Sequence, residues 1–568
     1  MKYLSAATSR AAARVRDDTR LKDVLPVSSN RWWRVGFLLR LNLLLTVPWA
    51  SAFMNGYDSS MLNGTQSLPI WIEGKTHLSR PPQCHPLTLT FPDFDSPSGS
   101  TLGLMVSMSL VGMIAATPFT PKLADYLGRR HPIVIGSIIC CGGAALQSSV
   151  ANLSYFLAGR FLLGLGLGIT IGTSTPLIAE LAYPSQRAII TSLYNTTWCV
   201  GSIATAWITY GTYRLTTSWS WRVPAILQCA PAVYQLFAIY LLPESPRWLI
   251  SKGRIQQARQ VLTAYHAGGD PASALVNYEM IEKQEAIEHE RLSKNNSYLD
   301  FFRTPGNRWR LFNTVTLGFI VQWSGTGLVS YYLILVLKSV GITNGETQNI
   351  INGALQIFNF FVATCAAVSV ERLGRRALLL TSITGMFVAL VIWTTVSALH
   401  ERGNFTNSGL GNAVVVMILV FYFFYNMAFN PIPFAYVLEI MPFSLRAKGI
   451  SIFQASTLGA LLFNSFVNPI ALEEVGWRYY ICFVGLLIVW FGIIYFTFPE
   501  TKSLSLEQVS EIFDGGMTVR RPYGSAAGGR AHVVDSGDTR SSQYIMEAYE
   551  LPAVPDPENG KAISIHKT

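Results

Sequence analysis

The chain has 568 residues, of which half are apolar and only 13% are charged, and its formal net charge is +10. Soluble domains carry about 25% charged residues, so an ordinary soluble protein is excluded. The mean hydropathy of +0.32 instead indicates a protein that crosses a membrane several times. The seven cysteines form no CxxC pair and lie mostly in apolar stretches, so we expect neither a disulfide scaffold nor a metal site.

Twelve stretches are long and apolar enough to cross a bilayer, whose core of about 30 Å needs about 20 helical residues. We therefore predict an all-α membrane protein with twelve transmembrane helices. These stretches are numbered here as spans 1 to 12, and they centre on residues 41–62, 101–121, 132–151, 154–179, 189–211, 223–243, 312–337, 348–370, 377–399, 412–438, 449–471 and 479–498.

The cations indicate which way the spans run. Lysine and arginine clusters precede span 1 and follow the even-numbered spans. Because cations near span ends stay in the cytoplasm, both termini are predicted to be cytoplasmic. The positive net charge then reflects topology, and we expect no nucleic-acid binding.

The polar segments divide the chain into five parts. We expect a cytoplasmic tail at 1–40, a six-span half at 41–249 and a cytoplasmic linker with short amphipathic helices at 250–310. A second six-span half follows at 311–502, and a cytoplasmic, largely disordered tail at 503–568. Residues 74–92 interrupt the link between spans 1 and 2, and we hypothesise a retained intron in the gene sequence; a genuine external loop is the alternative.

Three polar motifs occur twice, in the same order. DYLGRR (125–130) returns as ERLGRR (371–376), and ELAYPSQRA (180–188) returns as EIMPFSLRA (439–447). PESPRW (243–248) returns more weakly as PETKSL (499–504). Ordered repetition of this kind indicates two six-helix halves related by pseudo-symmetry.

Two charged residues lie inside otherwise uncharged spans, Asp58 in span 1 and Arg160 in span 4. A lone charge at the middle of a membrane costs about 2.5 to 3.5 kcal/mol on insertion scales, so such residues face a partner or water. We therefore expect the two to face each other. Movement of the arginine could switch a proton on and off the carboxyl; a static ion pair between two helices is the alternative.

The ordered motifs resemble those of the sugar porter family of the major facilitator superfamily. They are GYD (56–58), DYLGRR, GRFLLGLGLG (159–168), PESPRW, QWSGTGLVSYY (322–332), ERLGRR and PETK (499–502), and together they cover about residues 41–505. FMNGYDSSMLNG (53–64) and NSFVNPIAL (464–472) are most similar to fungal lactose permease-type transporters. The resemblance implies a proton-coupled importer of a disaccharide or hexose in a fungal plasma membrane, working as a monomer, with no enzymatic activity and no cofactor.

The resemblance also implies roles for charged residues. Asp58 would be the proton site and Arg160 its modulator. A cytoplasmic gate would form from the duplicated motifs, with bonds that hold an outward-facing state and break when the inside opens; positive-inside anchoring is the alternative. The residues assigned to this gate are Asp125, Arg129, Arg130, Glu180, Arg187, Glu244, Arg247, Glu371, Arg375, Arg376, Glu439, Arg446 and Glu500.

A sugar needs amide, hydroxyl and aromatic partners in a cavity between the halves. By resemblance, the candidates are Asn195, Gln322, Asn359, Asn430, Phe434 and Asn464. Where the family motif in span 7 has a further glutamine and an asparagine, this chain has Val321 and Gly327. Leu458 and Leu461 replace residues common in hexose porters, which puts a plain glucose site in doubt. For any one of these amides, helix-to-helix hydrogen bonding is the alternative.

Sequons for N-glycosylation occur at Asn63, Asn152 and Asn404, all on the predicted outer side. Two other functions stay open. The chain could be a transporter-like sugar receptor that signals through its tail, or it could carry quinate or a polyol.

Overall fold

A computed structural model of the chain describes residues 32–68, 99–149, 152–215, 217–293, 298–403, 408–442, 445–502 and 506–514. The interrupting segment 74–92, Asn404 and the tail beyond 514 lie outside the described residues. Within them, ten helical stretches are apolar enough to cross a membrane, and one of these, Lys448–Thr497, contains spans 11 and 12. The more polar helix Arg187–Thr212 is span 5, so all twelve predicted spans are helices.

The helix bounds follow the predicted spans closely. Spans 1 to 6 are Gly36–Leu44 with Thr46–Thr65, Gly99–Ala116, Arg130–Ser149, Leu153–Leu181, Arg187–Thr212, and Trp219–Leu227 with Cys229–Ala238. Spans 7 to 12 are Pro305–Trp323 with Thr326–Ser339, Gly345–Leu373, Arg375–Arg402, Ser408–Ala428 with Ile432–Ile440, Arg446–Val475 and Tyr479–Thr497.

Span 1 begins before residue 41, where the predicted tail ends. Its first helix starts at Gly36 and packs on the linker, because the ring of Phe37 lies against Gly268 and Arg40 lies over the ring of Tyr265. The end of the predicted N-terminal tail is therefore already part of the bundle.

The linker forms the short helices that its apolar spacing predicts. They are Pro246–Ser251, Ile255–His266, Ala274–Ser293 and Asp300–Arg303. The first three share a small hydrophobic cluster around Leu249, Leu262 and Val276. The linker therefore has a core of its own.

A further helix, Leu506–Asp514, lies at the start of the segment predicted to be a tail. Val509 and Phe513 are buried, and both carboxylate oxygens of Asp514 accept hydrogen bonds from Arg310 at 2.8 and 3.0 Å. The helix is therefore bound to the start of span 7 by an apolar face and by charge.

Span 7 is broken at its middle. Gly325 has a φ of 102°, which only glycine adopts readily, and it separates Pro305–Trp323 from Thr326–Ser339. Tyr332 is also non-helical, with φ −134° and ψ 26°. Breaks of this kind free backbone carbonyls, which are tolerated in a membrane only inside the protein or along a watery cavity.

The two ends of the helix bundle differ. We call the end that carries Gly128 and Gly374, in the two LGRR turns, the arginine face, and the opposite end the far face. Hydrogen bonds join the halves at the far face: Asn63 donates to the carbonyl of Val329 at 3.2 Å, and Gln66 donates to that of Tyr331 at 3.1 Å. These bonds close the far face around the distorted part of span 7.

Candidate functional site

Asp58 and Arg160 form a buried ion pair in the N-terminal half. Nη1 of Arg160 lies 2.5 Å from Oδ1 of Asp58, and the two residues are 2% and 3% exposed. The hydroxyl of Ser109 donates to the other oxygen of Asp58 at 3.0 Å. Arg160 also donates to the carbonyl of Met105. The contact expected from the sequence is present, and both carboxylate oxygens of Asp58 accept hydrogen bonds.

A third donor to Asp58 comes from span 6. Nε2 of Gln228 lies 2.6 Å from Oδ1 of Asp58, while its own oxygen accepts a hydrogen bond from Gln147 in span 3. Gln228 is not among the residues predicted from the sequence, although a glutamine within an apolar span is itself a signal of a functional site. Spans 1, 2, 4 and 6 therefore meet at one carboxylate, and span 3 is joined to them through Gln228.

The LGRR turn after span 2 holds a carboxylate on its backbone. The amide nitrogen of Arg129 donates to Glu244 at 2.9 Å, and that of Arg130 at 3.3 Å. Gly128 has φ 95°, and a side chain there would meet Glu244 at 2.5 Å. The guanidinium of Arg129 pairs with Glu180 at 3.4 Å. Glycine thus provides both the turn and the space for the acid.

The turn after span 8 repeats this arrangement. The amide nitrogens of Arg375 and Arg376 donate to Glu500 at 2.9 and 3.1 Å, and Gly374 again has φ 95°. Nη2 of Arg375 lies 2.9 Å from Glu439. The two halves therefore share one geometry at their arginine-face ends, as the duplicated motifs suggested.

These bonds differ from the expected gate in one respect. Each set of bonds lies within one half, and both sets are formed while the central cavity reaches the arginine face.

The other residues assigned to the gate lie near these turns. Asp125 pairs with Arg129 at 3.3 Å. Arg187 and Arg446 begin spans 5 and 11, Arg247 lies in the helix after span 6, and the side chain of Glu371 lies outside the described part of the chain.

A cavity of about 560 Å³ lies between the halves, within the range of about 300 to 1,000 Å³ of small-molecule sites. It runs to the arginine face, where Thr120, Pro121 and Ser451 line it. Among the described residues that line it, none carries a charge. Its amides come mostly from the C-terminal half: Gln322, Gln356, Asn359, Asn426, Asn430 and Gln454.

Four of the six predicted sugar contacts line this cavity, namely Gln322, Asn359, Asn430 and Phe434. Asn195 is exposed and is not among the lining residues; one turn further, Trp198 takes its place. Asn464 is buried and donates to the carbonyl of Gln322 at 2.7 Å, which is the helix-to-helix alternative.

Asn426 connects two of the predicted contacts and was not selected from the sequence. Its Nδ2 donates to Asn359 at 2.9 Å, and its oxygen accepts from Asn430 at 3.3 Å. Gln356 and Tyr422 also line the cavity. Sequence alone marks such residues only as polar groups within apolar spans, a signal that also fits helix packing.

The structure contradicts the predicted glycosylation of Asn63. Asn63 lies inside the first span, is 0% exposed, and uses its amide nitrogen to bond Val329. The nitrogen that would carry a glycan is therefore buried in the contact between the halves. Asn152 is exposed and caps span 4, accepting from the amide of Ser154 at 2.9 Å.

Comparison with known proteins identifies the chain's relatives. Residues 44–513 match the family model described as sugar (and other) transporter. A transporter of Aspergillus cristatus, MFS-type transporter criB, is 27% identical over 83% of this chain and 93% of its own length. The low-affinity glucose transporter HXT1 of Saccharomyces cerevisiae is 28% identical over 75% of this chain and 74% of its own length.

Solved structures agree on the fold. The inward-open conformation of the xylose transporter XylE from E. coli superposes with a TM-score of 0.66 at 21% identity, over 83% of this chain and 99% of XylE.

Proposed function

The chain belongs to the sugar transporter family of the major facilitator superfamily, and we propose that it imports a neutral sugar together with a proton by alternating access. It is a multi-pass membrane protein and not an enzyme. The observation that carries the proposal is the pairing of Asp58 with Arg160 beside an uncharged, amide-lined cavity.

The cavity favours a neutral polyhydroxylated solute. Amides and hydroxyls offer the donors and acceptors that sugar hydroxyls need, and Phe434 and Trp198 offer aromatic faces. An organic acid such as quinate would bring a carboxylate into a cavity whose described lining has no cation, and burying an unpaired charge is costly. A hexose or a disaccharide of the lactose or cellobiose type fits this chemistry better than quinate; a neutral polyol such as inositol is the weaker alternative.

Asp58 is the proposed proton site, and Arg160 is its modulator. Neither is among the residues that line the cavity, so in this conformation the carboxylate is separated from the solute's path. Arg160 retains its bonds to Met105 and Ser109 if Asp58 takes up a proton. Protonation therefore leaves the guanidinium hydrogen-bonded but without its counter-charge, a state that is costly when buried and that movement of Arg160 would relieve.

The orientation follows from the cations. With the arginine face in the cytoplasm, as the positive-inside rule predicts, the cavity in this structure opens inward and the far face is closed outward. This is the conformation from which sugar and proton leave. We propose a plasma-membrane location with both termini inside, and we propose that the monomer is the functional unit.

An uptake experiment tests the proposal. The chain would be expressed in cells without their own sugar transporters and supplied with labelled lactose, cellobiose, glucose, xylose, inositol or quinate while external pH is recorded. We expect uptake of at least one neutral sugar with alkalinisation of the medium. Binding without uptake would favour a receptor, and uptake without any pH change would rule out symport.

A further inference from the structure

Gly327 in span 7 forms a thin part of the cavity wall. It lines the cavity and has no side chain, and the direction in which a Cβ atom would point is filled by polar groups. That Cβ atom would lie 3.2 Å from Nδ2 of Asn468 and 3.4 Å from Nδ2 of Asn464, both in span 11. Two amide groups therefore stand directly behind the glycine.

Among the described residues, only one of these two amide nitrogens lacks a hydrogen-bond partner. Nδ2 of Asn464 donates to the carbonyl of Gln322 at 2.7 Å. Asn468 is 0% exposed, and its Nδ2 has no hydrogen-bond partner among the described residues. A buried donor left unsatisfied costs about 1 to 3 kcal/mol, so an amide held this way indicates a partner that arrives in another state.

The orientation of Asn468 is fixed from the other side. The hydroxyl of Tyr479, at the start of span 12, donates to Oδ1 of Asn468 at 2.9 Å. Because the oxygen accepts this bond, the nitrogen is the atom that faces Gly327. Tyr479 is thus a positioning residue for the free donor.

The wall at this point is also able to move. Gly327 follows the break at Gly325 by two residues, so the second helix of span 7 can shift without breaking a continuous helix. A shift of that helix away from span 11 would open a path from the cavity to Asn468 past Gly327. Position 327 contributes only backbone atoms to that path.

We propose that Asn468 is a specificity-determining residue whose amide nitrogen donates to one hydroxyl of the transported sugar past Gly327, when the second helix of span 7 moves away from span 11. The inference rests on the proposed function, since it assigns a subsite within the same cavity. It makes Gly327 part of the selectivity of the site because any larger residue would block the path.

The test compares the best-transported sugar of the uptake panel with its monodeoxy analogues, each lacking one hydroxyl. Wild type should show a KM about three- to tenfold higher for one analogue, the range expected for loss of one hydrogen bond. Asn468→Ala and Gly327→Ala should each raise the KM for the parent sugar by that factor, with maximal rate nearly unchanged. Both variants should then transport the parent and that one analogue equally well.

Two further variants keep the test decisive. Tyr479→Phe removes a single oxygen atom and should weaken discrimination at the same hydroxyl, even if Asn468→Ala fails to reach the membrane. Asn313→Ala is the control, since Asn313 is a buried span 7 asparagine that bonds the carbonyl of Thr497 away from the cavity. It should discriminate as wild type does.

The outcomes separate the two proposals. If wild type takes up no sugar, the proposed function fails and the subsite fails with it. If wild type transports sugar but Asn468→Ala and Tyr479→Phe keep its full discrimination against every analogue, the subsite is wrong and the proposed function stands.

Discussion

Gln228 donates its side-chain amide to the same carboxylate oxygen of Asp58 that Arg160 holds, at 2.6 Å. Seven residues later in span 6, a second buried glutamine, Gln235, bonds Ser51 and Ser137 instead. Span 6 thus carries two buried glutamines, of which only Gln228 contacts the proposed proton site. Substitutions at Gln228 and Gln235 therefore distinguish a role in proton coupling from a role in helix packing.

Gln228→Ala should alter the pH profile of sugar uptake. Gln228 is one of three hydrogen-bond donors to Asp58, so its loss changes the proposed proton site directly. Hydrogen bonds to charged groups contribute about 1.5 to 3 kcal/mol, so the change should be readily measured. Initial uptake rates between pH 4 and 8 measure it. Gln235→Ala should keep the wild-type profile, and an equal shift in both variants would refute a specific role for Gln228.

Alanine at either turn glycine should lower both the amount of folded protein and the transport rate. Gly128 and Gly374 have φ 95° with extended ψ, a region that is essentially restricted to glycine and costs other residues about 1 to 3 kcal/mol. Gly485→Ala is the matched control, since a methyl group there meets nothing within 4 Å. Detergent size-exclusion and uptake assays measure the two effects. Wild-type behaviour of Gly374→Ala would contradict the described turn.

Removing Asn63 should weaken closure of the far face. Asn63→Ala loses a buried hydrogen bond between the halves, which should increase the outward-open population about two- to tenfold. Distances between spin labels at Tyr155 and Leu399, in a cysteine-free background, should then gain a longer component. Arg214→Ala breaks an exposed ion pair with Glu346 at the same face and should change the distances little. If Arg214→Ala changed the distances more than Asn63→Ala, the far face would be held closed by the Arg214–Glu346 ion pair rather than by Asn63.

Glu279 in the linker should not set the pH dependence of transport. Burial raises the pKa of its carboxyl, but hydrogen bonds and charge from His266 and Lys283 outweigh burial and lower it to about 2. A lowered pKa means that the stabilisation is present above the ordinary value near 4.5 and is lost only as pH falls toward 2. Glu279→Gln should therefore lower the melting temperature of the purified protein similarly at pH 5 and pH 6, both above the range in which the carboxyl takes up a proton. A drop in melting temperature at only one of these pH values would contradict the lowered pKa of Glu279.

The spans and the charged pair could be predicted from the sequence for a clear physical reason. Apolar length determines which segments cross a bilayer, and a lone charge such as Asp58 has few places to lie. The break at Tyr332 has no comparable signal, since its freed carbonyls are satisfied by residues distant in sequence. The contacts of Asn63 and Gln66 across the halves could not be predicted for the same reason.

Residue type alone does not tell which amide side chains line the cavity and which bond other helices. Asn359 and Asn464 are both polar groups in apolar spans, yet one lines the cavity and the other bonds the backbone of Gln322. Helical phase and the positions of neighbouring helices decide between these roles. Asn426 and Gln228 could not be selected for the same reason, because the groups to which they donate, Asn359 and Asp58, lie on other spans.

Proton flux measured in proteoliposomes tests the central claim most directly. Wild-type protein reconstituted with a pH-sensitive dye inside should acidify the lumen when the transported sugar is added outside. Asp58→Asn removes the titratable group but keeps its size, so it should exchange labelled sugar across the membrane while moving no protons and building no gradient. Sugar accumulation against a gradient with proton influx in Asp58→Asn would contradict the account.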